Sequence, residues 1–311
     1  MNAPAEILAE QREIIFPAHF NAAEPIFLPL HHGERILRLG ENSCVTIIEE
    51  VMRPENNEPT SSRGRETFGR DDPKQNQSGL PRSTKNVELA MTAVTKIHLE
   101  KNAQLHWIQY QHLPKNISHA ADYQITQDQN SKFEAGFFSI GGHVSKVTLH
   151  ITQRGTHAES FLYGLSKPNR DGQTITHHVQ VDHQAPHGNS HMLYKGVLDN
   201  KSISAFRGKV VVHKNADKIN ASQANHHLLL CAGAEAKSQP ELEIDAEDVK
   251  CTHGSTVGQL DQDALFYLQA RGISLHDAKK LLTDAFAEEI FMQIHSAPIQ
   301  NWLRQRVYAH E

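Results

Sequence analysis

Lys101-Asn-Ala-Gln-Leu105 returns as Gln129-Asn-Ser-Lys-Phe133 and again as Thr156-His-Ala-Glu-Ser-Phe161, each time a small polar turn closed by an apolar residue. Leu105, Phe133 and Phe161 stand 28 residues apart, and each opens an alternating run: Leu105/Trp107, Phe133/Ala135/Phe137, Phe161/Tyr163. Alternation at period two belongs to strands, whose successive side chains face opposite ways. Recurrence every few tens of residues belongs to stacked arrays, in which one rung covers the next. The spacing therefore predicts that Leu105, Phe133 and Phe161 stack inside successive rungs. Thr148-Leu-His-Ile151 and Val210-Val-Val-His213 alternate in the same way, and no long helical pattern intervenes, so a doubly wound α/β sheet is excluded. The repeat by itself leaves a parallel β-helix and a β-sandwich both open.

Around this core the 311 residues divide by composition. Residues 1–52 hold short apolar runs (Ile26-Phe-Leu28, Val45-Thr-Ile-Ile48) that suggest early strands. Residues 53–86 carry four prolines and twelve charged residues, with only Phe68 and Leu80 to bury, and are expected to form a loop or linker. Residues 87–260 are the strand array, and 261–311 change to helical periodicity. Asp261 is placed to cap one helix and Ser274 the next, and Pro298 separates a final helix reaching Tyr308. Leu275, Ala278, Leu281, Leu282, Ala285, Phe286, Ile290, Phe291 and Ile294 recur at helical spacing and are expected to form one apolar face.

Net charge −5 without a Lys/Arg stripe argues against nucleic-acid binding. Cys44, Cys231 and Cys251 are odd in number and widely spaced, which suits a reducing compartment rather than a disulfide framework. With no apolar run of membrane length, the chain reads as cytoplasmic. P-loop, Gly-x-Ser-x-Gly, His-Glu-x-x-His and Cys-x-x-Cys motifs are absent, so nothing assembles a catalytic constellation and a non-catalytic role is expected.

Twenty-two histidines invite a metal reading, but most are scattered singly. In His177-His-Val-Gln-Val-Asp-His183 the residues His177, Val179, Val181 and His183 share one strand face that looks inward, and its two histidines lie roughly 20 Å apart, too far for one ion. Cys251 and His253 differ. In Val249-Lys-Cys-Thr-His-Gly254 a thiol and an imidazole two positions apart share one strand face. Both are ligands suited to iron in a cluster, and two are too few to complete a four-coordinate site. A buried thiol beside a structural histidine is the other reading of the same pair.

The run Pro240-Glu-Leu-Glu-Ile-Asp-Ala-Glu-Asp-Val-Lys-Cys-Thr-His-Gly-Ser-Thr-Val-Gly-Gln-Leu260 and the following Leu265-Phe-Tyr-Leu-Gln-Ala-Arg-Gly-Ile273 resemble SufD of the SufB/SufD family. Tyr194-Lys-Gly196, Phe206-Arg-Gly208 and Asn225-His-His-Leu-Leu-Leu230 carry the resemblance upstream, over most of residues 85–295. Ser255 stands where the family has alanine, and the family's helical N-terminal region is missing or replaced. The resemblance implies a right-handed parallel β-helix and a scaffold role in the SufBCD complex for iron–sulfur cluster assembly. It implies pairing with a SufB-like subunit through strand edges near 240–258, homodimerisation when isolated, and no stably bound cofactor. A transient cluster would be shared with SufB at His253, with Cys251 beside it. It further implies that the C-terminal helices dock the ATPase SufC, through Leu281, Leu282, Phe286 and Ile290. Because the rungs of a stacked array depend mainly on their neighbours, deletion from Ser274 is expected to leave the β body folded. Two alternatives remain at this stage: a β-helix carbohydrate-active enzyme, and a degenerate SufD paralogue acting only as an interaction module.

Overall fold

The computed structural model describes residues 12–29, 32–52 and 89–309. The expected linker 53–86 lies outside the described residues. Sixteen strands run in order: β1 (Glu13–Phe16), β2 (Ile26–Pro29), β3 (Gly33–Leu39), β4 (Cys44–Val51), β5 (Leu89–Leu99), β6 (Gln104–Gln111), β7 (Ile117–Gln127), β8 (Lys132–Ser139), β9 (Val144–Gln153), β10 (Glu159–Ser166), β11 (Thr174–His183), β12 (Asn189–Leu198), β13 (Ile203–Val212), β14 (Ile219–Leu229), β15 (Glu235–Ile244) and β16 (Val249–Gln259). Three helices follow, α1 (Gln262–Ala270), α2 (Leu275–Phe291) and α3 (Ala297–Tyr308).

Odd strands pair in parallel as one eight-stranded sheet, sheet A, and even strands as a second, sheet B, each in strictly ascending order. That order is a β-solenoid: each rung supplies one strand to each sheet, and the inner faces of the sheets form the core. β1 to β4 extend the same two sheets, so the early strands are the first rungs of the solenoid.

Strand alternation sets the contents of the interior. Along β11, Ile175, His177, Val179, Val181 and His183 are all buried. In the column through β8, β10, β12 and β14, Phe137, Gly164, Tyr194 and Asn225 are register partners. Glycine is required there, because a Cβ on Gly164 would run into the Tyr194 ring.

One expectation about the repeat fails. Leu105 and Phe133 are register partners and both buried, but the next residue in their column is Ser160. Phe161 pairs with Glu134 and lies on the outer face, its ring stacked on His191 at 5.4 Å. Lys132 and its register partner Glu159 are 27 residues apart, whereas Gln104 and Lys132 are 28 apart, and a one-residue slip carries a side chain to the opposite face.

At the turn preceding each even strand from β4 to β14 the chain passes through the left-handed region: Asn42 (φ 56°), Asn102 (59°), Asn130 (56°), His157 (59°), His187 (62°) and Lys218 (58°). Their N–H groups donate to turn carbonyls of the following rung, as Asn102 does to Gln129 at 2.9 Å and His187 to Asp217 at 2.9 Å. Side chains continue the ladder: Asn130 Nδ2 donates to Asn102 Oδ1 at 3.0 Å, Asn102 Nδ2 to Asn42 Oδ1 at 2.8 Å, and the rings of His157 and His187 stack at 4.7 Å. Asparagine tolerates this conformation better than other side chains, which accounts for the Asn in the repeated turns.

The helices cover the outer face of sheet B. Asp261 caps α1 by accepting from the N–H groups of Asp263 and Ala264, and Ser274 caps α2 by accepting from Asp277 N at 3.1 Å. Ile48, Ile108, Tyr110, Phe138 and Leu165 of the sheet form one core cluster with Ile290, Phe291, Ile294, Leu303 and Val307 of the helical region. The helical stripe read from sequence is therefore split. Ala278, Ile290, Phe291 and Ile294 are buried, whereas Leu275 and Leu281 are 47% and 51% exposed. Each fully buried Leu, Ile or Phe contributes roughly 1.5–3 kcal/mol, so the helices are part of the folded core. This burial argues against the expectation that the β body is indifferent to their deletion.

Candidate functional site

Among the described residues, β16 is the last strand of sheet B and pairs only with β14, as β15 pairs only with β13 in sheet A. The solenoid therefore ends in two free strand edges with unpaired backbone groups, the feature that makes an edge a template for further pairing. Ser255 Oγ joins them by donating to Ser238 Oγ at 2.7 Å.

On β16, Val249, Cys251, His253, Ser255 and Val257 continue the inward columns of Ile219, Ala221, Gln223, Asn225 and His227. Cys251 and His253 thus share one face, about 7 Å apart along the strand. No rung lies above them, so His253 is exposed, and Cys251 is half-buried against the core. Burial holds the Cys251 thiol above its ordinary pKa, partly offset by a hydrogen bond from the Ala221 backbone. The thiol is consequently the weaker ligand of the two until a metal displaces its proton. Among the described residues, no three His, Cys, Asp or Glu side chains converge where they could hold a metal ion.

The layer beneath the site is polar, which sequence reading missed. Gln223 Nε2 donates to the Glu241 carbonyl at 2.9 Å, and Asn225 Nδ2 donates to the Tyr194 carbonyl at 3.1 Å. His227 Nε2 lies 3.2 Å from Ser204 Oγ. The available signal was that Gln223, Asn225 and His227 occupy the inward alternate positions of β14. The other buried histidines are structural, as their scatter suggested: His177 Nε2 is 3.1 Å from Ser139 Oγ and His183 Nε2 2.9 Å from Ser190 Oγ. Burial pushes His177 down to about 3, aided by His227 and His178, and His183 and His227 down to about 4.

Of the helix residues, Leu281 is exposed, as are Phe266, Tyr267 and Leu275. Leu282 and Phe286 are half-buried, and Phe286 lies over Lys195 with its ring centroid 4.4 Å from Nζ. Ile290 is fully buried against sheet B and is not available to a partner, which corrects its assignment to a docking surface.

The outer face of sheet A has a shallow groove of about 360 Å³ between Gln124, His150, His178, Arg207 and Lys209, with Asp122 in its lining and with Asp182 and Glu241 bonded to His150 and Arg207.

The sequence profile of the family described as "SUF system FeS cluster assembly, SufBD core domain" matches residues 76–286, which include β16 and α2. The chain belongs to the SufBD family. It is 36% identical over 215 residues to an iron–sulfur cluster assembly SufBD family protein of Synechocystis, covering 69% of this chain and 47% of that protein. To the iron–sulfur cluster assembly protein SufD of Escherichia coli it is 28% identical over 211 residues, covering 68% of this chain and 50% of that protein. The chain spans about half the length of the curated relatives it matches. Among the described residues, no helix is long and apolar enough to cross a membrane.

Proposed function

We propose that this chain is a SufD-like, non-catalytic scaffold subunit that shares a nascent iron–sulfur cluster with a SufB-like partner, while a SufC-like subunit supplies ATPase activity. The observation that supports the reading is the pairing of Cys251 and His253 on the inward face of a free terminal strand. Two ligands on an open edge are half a site, and a second chain continuing the sheets across β15 and β16 would bring the rest. His253 is the exposed ligand and the one assigned to the cluster, with Cys251 secondary because its thiol is held protonated. The cluster is cargo, built and passed on. Leu281, Leu282 and Phe286, with Phe266 and Tyr267, are the apolar side chains available to the ATPase subunit.

Co-expression with tagged SufB-like and SufC-like subunits, followed by iron and sulfide analysis of the reconstituted complex, tests this. His253→Ala should assemble normally, melt within about 1 kcal/mol of the parent, and lose most of its cluster yield. Cys251→Ala should lose less. Normal cluster yield with His253→Ala would refute the ligand role.

A further inference from the structure

One row of side chains on the outer face of sheet B runs from under the helices to the free edge. Glu50, Tyr110, Phe138, Leu165, Lys195, His226 and Thr256 are successive register partners from β4 to β16. At the helix boundary Lys195 is only 6% exposed. Its ammonium donates to the Phe286 carbonyl at 2.8 Å and pairs with Glu289 at 2.5 Å, both on α2. The next residue, His226, has Nδ1 2.8 Å from Thr256 Oγ1 on β16.

We propose that Lys195 and His226 are positioning residues that couple α2 to β16, so that displacement of the helix shifts the strand bearing Cys251 and His253. A buried ammonium cannot be left without acceptors. Both of its partners belong to α2, so any movement of the helix away from the sheet strips them together. The nearest polar side chain in the row is then the His226 imidazole, and an ammonium that donates to its Nδ1 displaces the bond between that nitrogen and Thr256. The row thus has two arrangements, one with Lys195 committed to the helix and Thr256 held by His226, the other with Lys195 turned along the row and β16 released. The functional significance of the coupling rests on the site reading above, but its existence does not.

The test is the alkylation rate of the three thiols in the full-length chain, with iodoacetamide as probe and peptide mass analysis as readout. Lys195→Met should speed alkylation of Cys251 about fivefold or more, leaving Cys44 and Cys231 unchanged, and Lys195→Arg should restore the parent rate. Glu289→Gln, a milder change, should act in the same direction and be non-additive with Thr256→Val. Additive effects, an unchanged Cys251 rate, or equal acceleration of all three thiols would overturn the proposal. If the coupling is found while His253→Ala makes clusters normally, the cluster reading fails and the coupling stands.

Discussion

Arg306 Nε of α3 lies 3.0 Å from Glu50 Oε1 of β4, so the last helix is fastened to one of the first rungs. The Arg306 guanidinium also lies 4.0 Å from the Trp302 ring centroid, and its backbone carbonyl accepts from Tyr110 Oη at 3.2 Å. α3 and β4 are therefore joined across the outer face of sheet B.

Deleting residues from Ser274 onward should unfold or aggregate the chain, since Ile48, Ile108, Tyr110, Phe138 and Leu165 would face water. Circular dichroism and size exclusion check this. Arg306→Met alone should cost no more than about 1 kcal/mol, because the pair is partly solvated. A truncated chain that melts like the parent would show that the rungs are self-sufficient.

Stability should fall as pH drops below neutrality. His177, His183 and His227 titrate near 3 to 4 when folded and near 6.5 when unfolded. Between those values the unfolded chain binds the extra protons, so stability rises with pH across the window and is complete above about 6.5. At pH 5 each histidine withholds roughly 2 kcal/mol relative to neutral pH. Urea midpoints from pH 8 to 5 measure the slope, and His227→Gln should make it shallower.

Gly164→Ala should cost about 1–3 kcal/mol by forcing the Tyr194 ring aside. The double variant Gly164→Ala with Tyr194→Leu should recover part of that loss in thermal melts. A simple sum of two losses would place the strain elsewhere.

Arg35 and Glu49 are both 1% exposed, with Arg35 Nη1 4.0 Å from Glu49 Oε1. Tyr123 and Gln109 donate to the same carboxylate. Glu49→Leu should therefore cost about 3–5 kcal/mol, because it strands a buried guanidinium. Adding Arg35→Met should return much of it. Denaturant unfolding of both variants decides the matter.

Most of the fold was legible because strand alternation and the polar turns are local properties. Alternation placed His177 and His183 inside and put Cys251 and His253 on one face. Phe161 was misplaced because a fixed 28-residue period does not register a rung of 27 residues. Ile290 was misassigned because helical periodicity reports an apolar stripe without saying whether a sheet or a partner covers it. Lys195 stood in the Tyr194-Lys-Gly196 run that carries the resemblance, but its contacts were not legible: they depend on Phe286 and Glu289, which only tertiary packing brings to it.

The left-handed ladder of Asn42, Asn102 and Asn130 has a consequence for how such a chain changes over time. Asn42 precedes β4 and Asn102 precedes β6, and the two remain joined side chain to side chain although 60 residues separate them. Between them 37 residues of sequence separate Val51 of β4 from Leu89 of β5, and β5 still pairs in register with β3. Rung boundaries thus tolerate added sequence without disturbing what stacks above and below. Such junctions are where this architecture can acquire or shed whole segments while its terminal edge stays intact.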